Sequence, residues 1–171
     1  KHVKLYYQLH LQERRDQGMP VQPWKYFALL EKQIFSHDLG NILFAYQGDR
    51  VLAAVVLLYF GQTLTYKYGA SLRSELKLRP NDFLFWNAIQ WGCAHGYKIF
   101  DMGRTELDNA GLRSYKTRWG AEEFILTYKI FGSQPPARSN KCINSLMECV
   151  IRNSPLWVCR TSGELLYRHF G

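Results

Sequence analysis

The spacing of apolar residues changes period near residue 40, and this change divides the predicted elements into two kinds. Residues 1–17 and 24–35 carry apolar side chains three and four positions apart, which predicts two amphipathic helices. Residues 41–47, 50–60 and 63–68 are β-branched and aliphatic runs separated by Gly-containing pairs, which predicts three consecutive antiparallel strands. The middle run is apolar on both faces, so we expect it to be central and covered on both sides.

The second half of the chain alternates helices and strands. Pro80 and the Asn-Asp pair after it favour the start of a helix, which we expect to end at Gly96. We then expect a strand from Tyr97 to Met102, a helix over about residues 112–119 and a last strand from Phe124 to Phe131. This order predicts an α/β fold of the α+β type, built on one mixed sheet.

The segment 133–140 divides the chain by composition, because it contains two prolines among polar residues. We interpret residues 1–132 as one domain and residues 133–171 as this linker followed by a C-terminal helical extension of two short helices. The extension either packs on the domain or lies on a membrane surface as a basic amphipathic segment. No apolar run approaches the roughly 20 residues of a membrane-spanning helix.

The composition adds a positive charge bias to this picture. The 171 residues include 22 Lys and Arg against 14 Asp and Glu, a formal net charge of +8. This excess favours anionic partners such as nucleic acid, phosphorylated metabolites or an acidic membrane face, and a basic surface kept for solubility is the alternative. The four cysteines form no CxxC pair and have no His at zinc-ligand spacing, so we expect no metal site.

The stretch Ile99–Gly120, with the sequence IFDMGRTELDNAGLRSYKTRWG, contains the main candidate site. A strand end, a glycine turn and a cationic helix in succession suit an anionic ligand. Lys116 is our first candidate, since a mobile ammonium on a helix can contact phosphate, and a solvated surface lysine is the alternative. Arg104 follows Gly103, and its planar guanidinium can bind phosphate or carboxylate there.

Neighbouring polar residues extend the candidate site. Arg113 precedes Lys116 by three positions and can share its helix face. Asp101 either orients Arg104 through a salt bridge or caps the turn. Asp101 and Glu106 are the acidic residues that we consider for a general base, because no nucleophile–base pair is evident in the sequence.

Three aromatic residues are further candidates for substrate binding. Tyr66 and Tyr68 alternate with Lys67, so we expect both tyrosines on the same side of their strand. There they either stack on a sugar or base or belong to the core. Trp86 has the same two interpretations on its helix.

Four motifs occur in an order and spacing that resemble one known family. They are Thr65-Tyr66-Lys67-Tyr68-Gly69-Ala70-Ser71, Pro80-Asn81 followed by Trp86, Phe100-Asp101-x-Gly103-Arg104, and Gly111-Leu112-x-x-Tyr115-Lys116-x-x-Trp119-Gly120. Together they resemble the C-terminal GNAT-like (N-acyltransferase) domain of FemABX-type proteins. These are the aminoacyltransferases of peptidoglycan interpeptide bridges and their FemAB-related relatives linked to exopolysaccharide export.

The resemblance covers residues 41–131 best and carries several implications. It implies a GNAT-like acyltransferase fold and places Lys116 at the lysine of the family's Phe/Tyr-Lys motif, which contacts substrate phosphate in the bridge-forming enzymes. It also implies a second GNAT-like domain before Lys1. Because the chain does not begin with Met, we expect it to be a fragment of such a two-domain protein, and a processed chain is the alternative.

The loop after the third strand departs from the pattern of ordinary GNAT enzymes. Those enzymes have a Gly-rich Q/R-x-x-G-x-G/A loop, whose backbone amides hold the pyrophosphate of coenzyme A. Here residues 69–81 have no clustered glycines, and Pro80 removes one amide donor. We therefore expect aminoacyl-tRNA, the donor that the resemblance implies, rather than acetyl-CoA.

The functional hypothesis that follows is direct transfer of an acyl or aminoacyl group to an amine of a peptidoglycan or exopolysaccharide precursor. The acceptor is then an anionic nucleotide-sugar or lipid-linked molecule, met in the cytoplasm or at the inner face of the membrane. Two alternatives stay open. One is a coenzyme-A-dependent N-acetyltransferase, and the other is a non-catalytic, degenerate GNAT domain that binds tRNA or a membrane.

Overall fold

The described residues form six α-helices around one four-stranded sheet. A computed structural model describes residues 1–129, 131 and 141–167, and for residues 141–145 it describes the backbone alone. The elements are α1 (His2–Gln17), α2 (Trp24–Gln33), β1 (Gly40–Gln47), β2 (Arg50–Phe60), β3 (Thr63–Ser71), α3 (Pro80–Ala94), β4 (Ile99–Asp101), α4 (Ala110–Thr117), α5 (Lys141–Asn153) and α6 (Leu156–Leu166). Short 3₁₀ helices occupy Phe35–His37 and Arg73–Leu78.

The sheet has the strand order β1-β2-β3-β4. The first three strands are antiparallel neighbours, and β4 runs parallel to β3. Gly48 and Gly61 adopt positive φ angles of 57° and 55° in the two tight turns, a conformation that glycine reaches without steric cost. The predicted antiparallel meander and the mixed α/β class are therefore confirmed.

The central strand β2 is covered on both faces, as its continuous apolar run predicts. Successive side chains of a strand point to opposite faces. Ala54 and Val56 accordingly belong to the core under α1 and α2. Ala53 and Val55 belong to a second core, which Leu84 of α3 covers from the other side.

A β-bulge at Lys67 changes the direction of the side chains along β3. Val56 of β2 pairs with Tyr68 and its neighbour Leu57 with Tyr66, so Lys67 is the extra residue. Tyr68 consequently packs on the α1 core and Tyr66 on the α3 core. The expectation that both tyrosines face one side is wrong, because the inserted residue breaks the period of two.

The predicted last strand from Phe124 to Phe131 is wrong for its described residues. Residues 124–129 and 131 are outside any strand, and Phe124 and Phe131 are 80% and 92% exposed. An alternating apolar pattern forms a stable strand only beside a neighbour that supplies its ladder hydrogen bonds. The strand before it is also shorter than predicted, since β4 spans Ile99–Asp101 rather than Tyr97–Met102.

The C-terminal helices α5 and α6 pack on α1. Ile151 of α5 and Cys159 of α6 are buried in the same core as Val3 and Tyr6 of α1. The packing interpretation of the extension therefore holds for residues 146–167, whereas the predicted linker 133–140 lies outside the described residues. Among the described helices, none is both long and apolar enough to cross a bilayer.

We expect Gly163→Ala to lower the free energy of unfolding by about 1–3 kcal/mol, the usual cost of overpacking a core. A Cβ at Gly163 of α6 would overlap the backbone carbonyl of Val21, which cannot move aside as a side chain can. Chemical denaturation checks this, with Gly111→Ala as the control, because the nearest atom to a Cβ there is 3.9 Å away. Equal stability of the two variants would show that α6 does not dock on Val21.

Candidate active site

The candidate site begins where β3 and β4 separate. The two strands pair over only three residues each, Thr63–Thr65 with Ile99–Asp101. Beyond that point β3 continues to Ser71, whereas β4 ends at Asp101 and the segment from Met102 onward is no longer paired with β3. A cleft of about 660 Å³ opens in the gap, within the size range of small-molecule sites.

Five segments of the chain line this cleft. Residues 66–71 of β3 form one wall, and residues 102–104 after β4 form another. The last turns of α1, residues between 76 and 85 around the start of α3, and the middle of α4 complete the lining, with the polar side chains His10, Glu13, Arg14, Gln17, Arg79, Asn81, Asp82, Tyr115 and Lys116.

The α1 wall comes from one continuous stripe of the helix. Val3, Tyr6 and Tyr7 are buried at the start of the stripe, and the same spacing of three and four residues continues through His10 and Glu13 to Arg14 and Gln17. The face that meets the sheet therefore changes from apolar to polar along the helix. Its polar half reaches the cleft.

Glu13 is the acidic residue that α1 brings to the cleft. It is half-buried, and the hydroxyl of Ser71 donates to its Oε1 across 3.4 Å. The Ser71 hydroxyl in turn accepts from Nδ2 of Asn81 at 3.5 Å. Burial raises the pKa of Glu13 to about 7, although Arg14 and Ser71 act in the opposite direction.

His10 is buried one turn before Glu13. Its Nε2 lies 2.8 Å from Oε1 of Gln22, an acceptor, so Nε2 carries the proton in the neutral ring. Nδ1 is buried with no hydrogen-bond partner among the described residues. Burial lowers the pKa of His10 to about 4, and Gln22 opposes this shift only in part.

Lys116 reaches the cleft from α4, which Asn109 begins by accepting a hydrogen bond from the amide of Leu112. The Lys116 ammonium donates to the carbonyl oxygens of Gly103 at 2.7 Å and Arg104 at 3.5 Å. An ammonium has three N–H groups, so one remains for a ligand. Burial lowers the pKa of Lys116, and the nearby Asp101 carboxylate raises it.

The turn between β4 and α4 presents Arg104. Asp101 caps the turn by accepting from the amide of Gly103 at 2.8 Å, where φ is 72°. Arg104 pairs instead with Glu106 at 2.9 Å, and its guanidinium also reaches the hydroxyl of Tyr128. The hypothesis of an Asp101–Arg104 salt bridge is therefore corrected, and the turn-capping alternative is the one that the structure shows.

Four of the eight candidate residues line the cleft: Tyr66, Tyr68, Arg104 and Lys116. The other four, Trp86, Arg113, Asp101 and Glu106, are outside its lining.

Trp86 and Arg113 lie outside the cleft for reasons that their own contacts and exposure show. Trp86 is 53% exposed, because its neighbour Phe85 takes the buried position on α3. Arg113 binds both carboxylate oxygens of Glu123, at 3.1 and 2.8 Å, which directs it away from Lys116.

Sequence reasoning missed the polar residues that α1 and α3 contribute. A detectable signal was present for Glu13 and His10, since a core-facing stripe that turns polar is unusual. Tyr115 belongs to the Gly111–Gly120 motif, but the sequence does not indicate its partner. Its hydroxyl donates to Asp82 at 2.9 Å, and Asp82 also pairs with Arg79 at 2.8 Å. These contacts join the start of α3 to α4.

The chain has the fold of an N-acetyltransferase (GNAT) domain. The sequence model of the acetyltransferase (GNAT) domain matches residues 3–119, so the chain belongs to this family. A lipid II:glycine glycyltransferase of Staphylococcus haemolyticus (strain JCSC1435) is 26% identical over 89 residues, which cover 48% of this chain and 21% of that protein. This match supports the resemblance to FemABX-type proteins, and the chain spans about a fifth of the length of this curated relative.

Solved structures show the same fold at low sequence identity. A probable acetyltransferase superimposes with a TM-score of 0.61 at 19% identity, over 78% of this chain and 94% of that one. An aminoglycoside 6'-N-acetyltransferase from Acinetobacter haemolyticus gives a TM-score of 0.58 at 13% identity, over 78% and 93%. These likenesses establish the architecture.

We expect His10 to stay neutral down to a pH of about 4, against 6.5 for an ordinary histidine. Between these two values the unfolded chain binds more protons, so His10 lowers the free energy of unfolding as the pH falls from about 6.5 to 4. NMR titration of the imidazole measures the midpoint, and His10→Gln assigns the signal. The difference between the stability curves of the two proteins isolates the His10 contribution, and a midpoint near 6.5 would contradict its burial.

Proposed function

We propose that the protein transfers an aminoacyl group to an amine of a phosphate-bearing, lipid-linked cell-wall precursor. The observation that carries this proposal is the position of Lys116 and Arg104 at one cleft that also contains two tyrosines. The similarity to a lipid II:glycine glycyltransferase supports the choice of acceptor. A precursor of this kind brings both a phosphate for the cations and an amine to be acylated.

The cations suit recognition of phosphate. One N–H of Lys116 is left after its two carbonyl contacts, and the Arg104 guanidinium is 57% exposed beside the cleft. Charge-assisted hydrogen bonds to phosphate are about twice as strong as neutral ones. Tyr66 and Tyr68 supply aromatic surface in the lining of the same cleft.

The backbone before α3 supports an aminoacyl ester as the donor rather than coenzyme A. In this segment the amides of Leu72, Glu75 and Arg79 already donate to the carbonyls of Leu52, Leu72 and Leu76. Pro80, the first residue of α3, has no amide hydrogen. These four positions offer no free amide to a pyrophosphate, whereas an aminoacyl-tRNA does not require this particular contact.

A coenzyme-A-dependent N-acetyltransferase is the second candidate. It is favoured by the architecture, since the superimposed structures include an aminoglycoside N-acetyltransferase. The first proposal also includes a further GNAT-like domain before Lys1. It includes peripheral contact with the membrane that carries the acceptor. The third hypothesis is a non-catalytic domain that binds tRNA or a membrane, and it predicts that neither donor reacts.

The direct test offers two donors to the same acceptor. The full chain is incubated with lipid II in detergent micelles and either radiolabelled glycyl-tRNA or radiolabelled acetyl-CoA. Label in lipid II from glycyl-tRNA alone supports the proposal. Label from acetyl-CoA alone supports the second candidate, and no label from either overturns both.

We expect Lys116→Met to raise the KM for lipid II by roughly 10-fold or more, the worth of a hydrogen bond to a charged group. The exposed Lys98 outside the cleft provides the matched control, since Lys98→Met removes the same charge. Steady-state kinetics at fixed donor concentration measure the change. Equal KM values for the two variants would argue against phosphate binding at Lys116.

A further inference from the structure

We propose that Glu13 is the general base that removes the proton from the acceptor amine as it attacks the acyl donor. This inference rests on the proposed function, acyl transfer to an amine, and deepens it by naming the proton acceptor. It replaces the two acidic residues that the sequence offered, Asp101 and Glu106.

The first argument is that the other nearby carboxylates are already engaged. Asp82 is bound by Arg79 and Tyr115, and Asp101 accepts from the Gly103 amide. Glu106 pairs with Arg104. Within the described part of the chain no Lys or Arg makes an ion pair with Glu13, although it lines the cleft.

The second argument is the direction of the hydrogen bonds that hold Glu13. The Asn81 side-chain nitrogen can only donate, so the Ser71 hydroxyl accepts from it and turns its own proton toward Glu13. The carboxylate is thus positioned by a relay that joins α3, β3 and α1. A carboxylate has about four acceptor sites, so this contact leaves capacity for the proton of a bound amine.

The third argument is the electrostatic surroundings of the carboxylate. Arg14 and Asp16 of α1 act on it with opposite signs, and the hydroxyls of Tyr6 and Tyr66 interact with its charge. The other charged residues that line its cleft are Lys67 of β3, Arg79 before α3, Asp82 of α3, Arg104 after β4 and Lys116 of α4.

Burial dominates these influences and raises the pKa of Glu13 to about 7. A base works best when its pKa lies near the working pH, because it is then both ionised and strong enough to accept a proton. A buried glutamate that merely fixed Ser71 would share the raised pKa, so the test must separate the two roles.

The proposed step balances in atoms and charge. The free amine nitrogen forms a bond to the carbonyl carbon of the aminoacyl ester, and Glu13 accepts the proton that the nitrogen loses. The ester C–O bond then breaks with its electron pair on the ribose oxygen, which takes the proton back from the Glu13 carboxyl. The products are an amide and the free tRNA hydroxyl, and the Glu13 carboxylate is restored.

We expect Glu13→Gln to lower kcat for glycyl transfer to lipid II by about 100-fold or more, the usual contribution of a general base. For the wild-type chain, kcat/KM should rise with pH through a midpoint near 7, since the ionised carboxylate is the active form. That acidic limb should vanish in Glu13→Gln, while the KM for lipid II stays within about threefold. Glu13→Asp should retain the limb at reduced kcat, because it keeps a carboxylate one methylene farther back.

Glu31→Gln on the exposed face of α2 is the matched control, and it should keep the wild-type rate and pH profile. Denaturation of each variant shows that it is folded. An active wild-type chain whose Glu13→Gln variant keeps the acidic limb and rate would overturn the role of Glu13 and leave the proposed function intact. A wild-type chain that transfers no acyl group from either donor would remove the proposed function and this inference with it.

Discussion

The separation of β3 from β4 after Thr65 and Asp101 is the constraint on which the candidate site depends. Parallel pairing over three residues fixes the two strands side by side and then stops. The bulge at Lys67 lies directly beyond this point, and bulges bend a strand and increase its local twist. The edge of β3 from Tyr66 to Ser71 consequently faces a cleft, and every polar group of the proposed mechanism borders that gap.

The periodicity of apolar residues predicted the helices and strands whose buried faces can be read from neighbouring positions in the sequence. Helix α1, the meander β1–β3 and the Pro80 start of α3 agree with the structure, because one-faced or two-faced burial imprints a period on the sequence. The bulge at Lys67 was not predictable in this way. The side-chain types along β3 alternate regularly, and only the pairing with β2 shows which residue is inserted as the bulge.

The candidate site was predictable to a similar extent. Lys116 and Arg104 follow a strand end and a glycine turn, so local sequence was enough to select them. Glu13 contacts Ser71 from 58 positions away, and no local pattern specifies such a pair. The polar continuation of the α1 stripe was the available signal, since His10 and Glu13 occupy positions that would be apolar in a helix serving the core alone.

The distribution of charge explains how one cleft can hold both an anion-binding group and a base. A cation beside Glu13 would stabilise its ionised form, lower its pKa and weaken it as a proton acceptor. Arg14 acts on Glu13 in this direction but does not offset burial. Two other cations of the cleft are held by fixed partners: Lys116 by the carbonyls of Gly103 and Arg104, and Arg79 by Asp82. Hydrogen bonds to fixed partners thus hold Lys116 where a phosphate can meet it, and Glu13 stays in surroundings where burial controls its protonation.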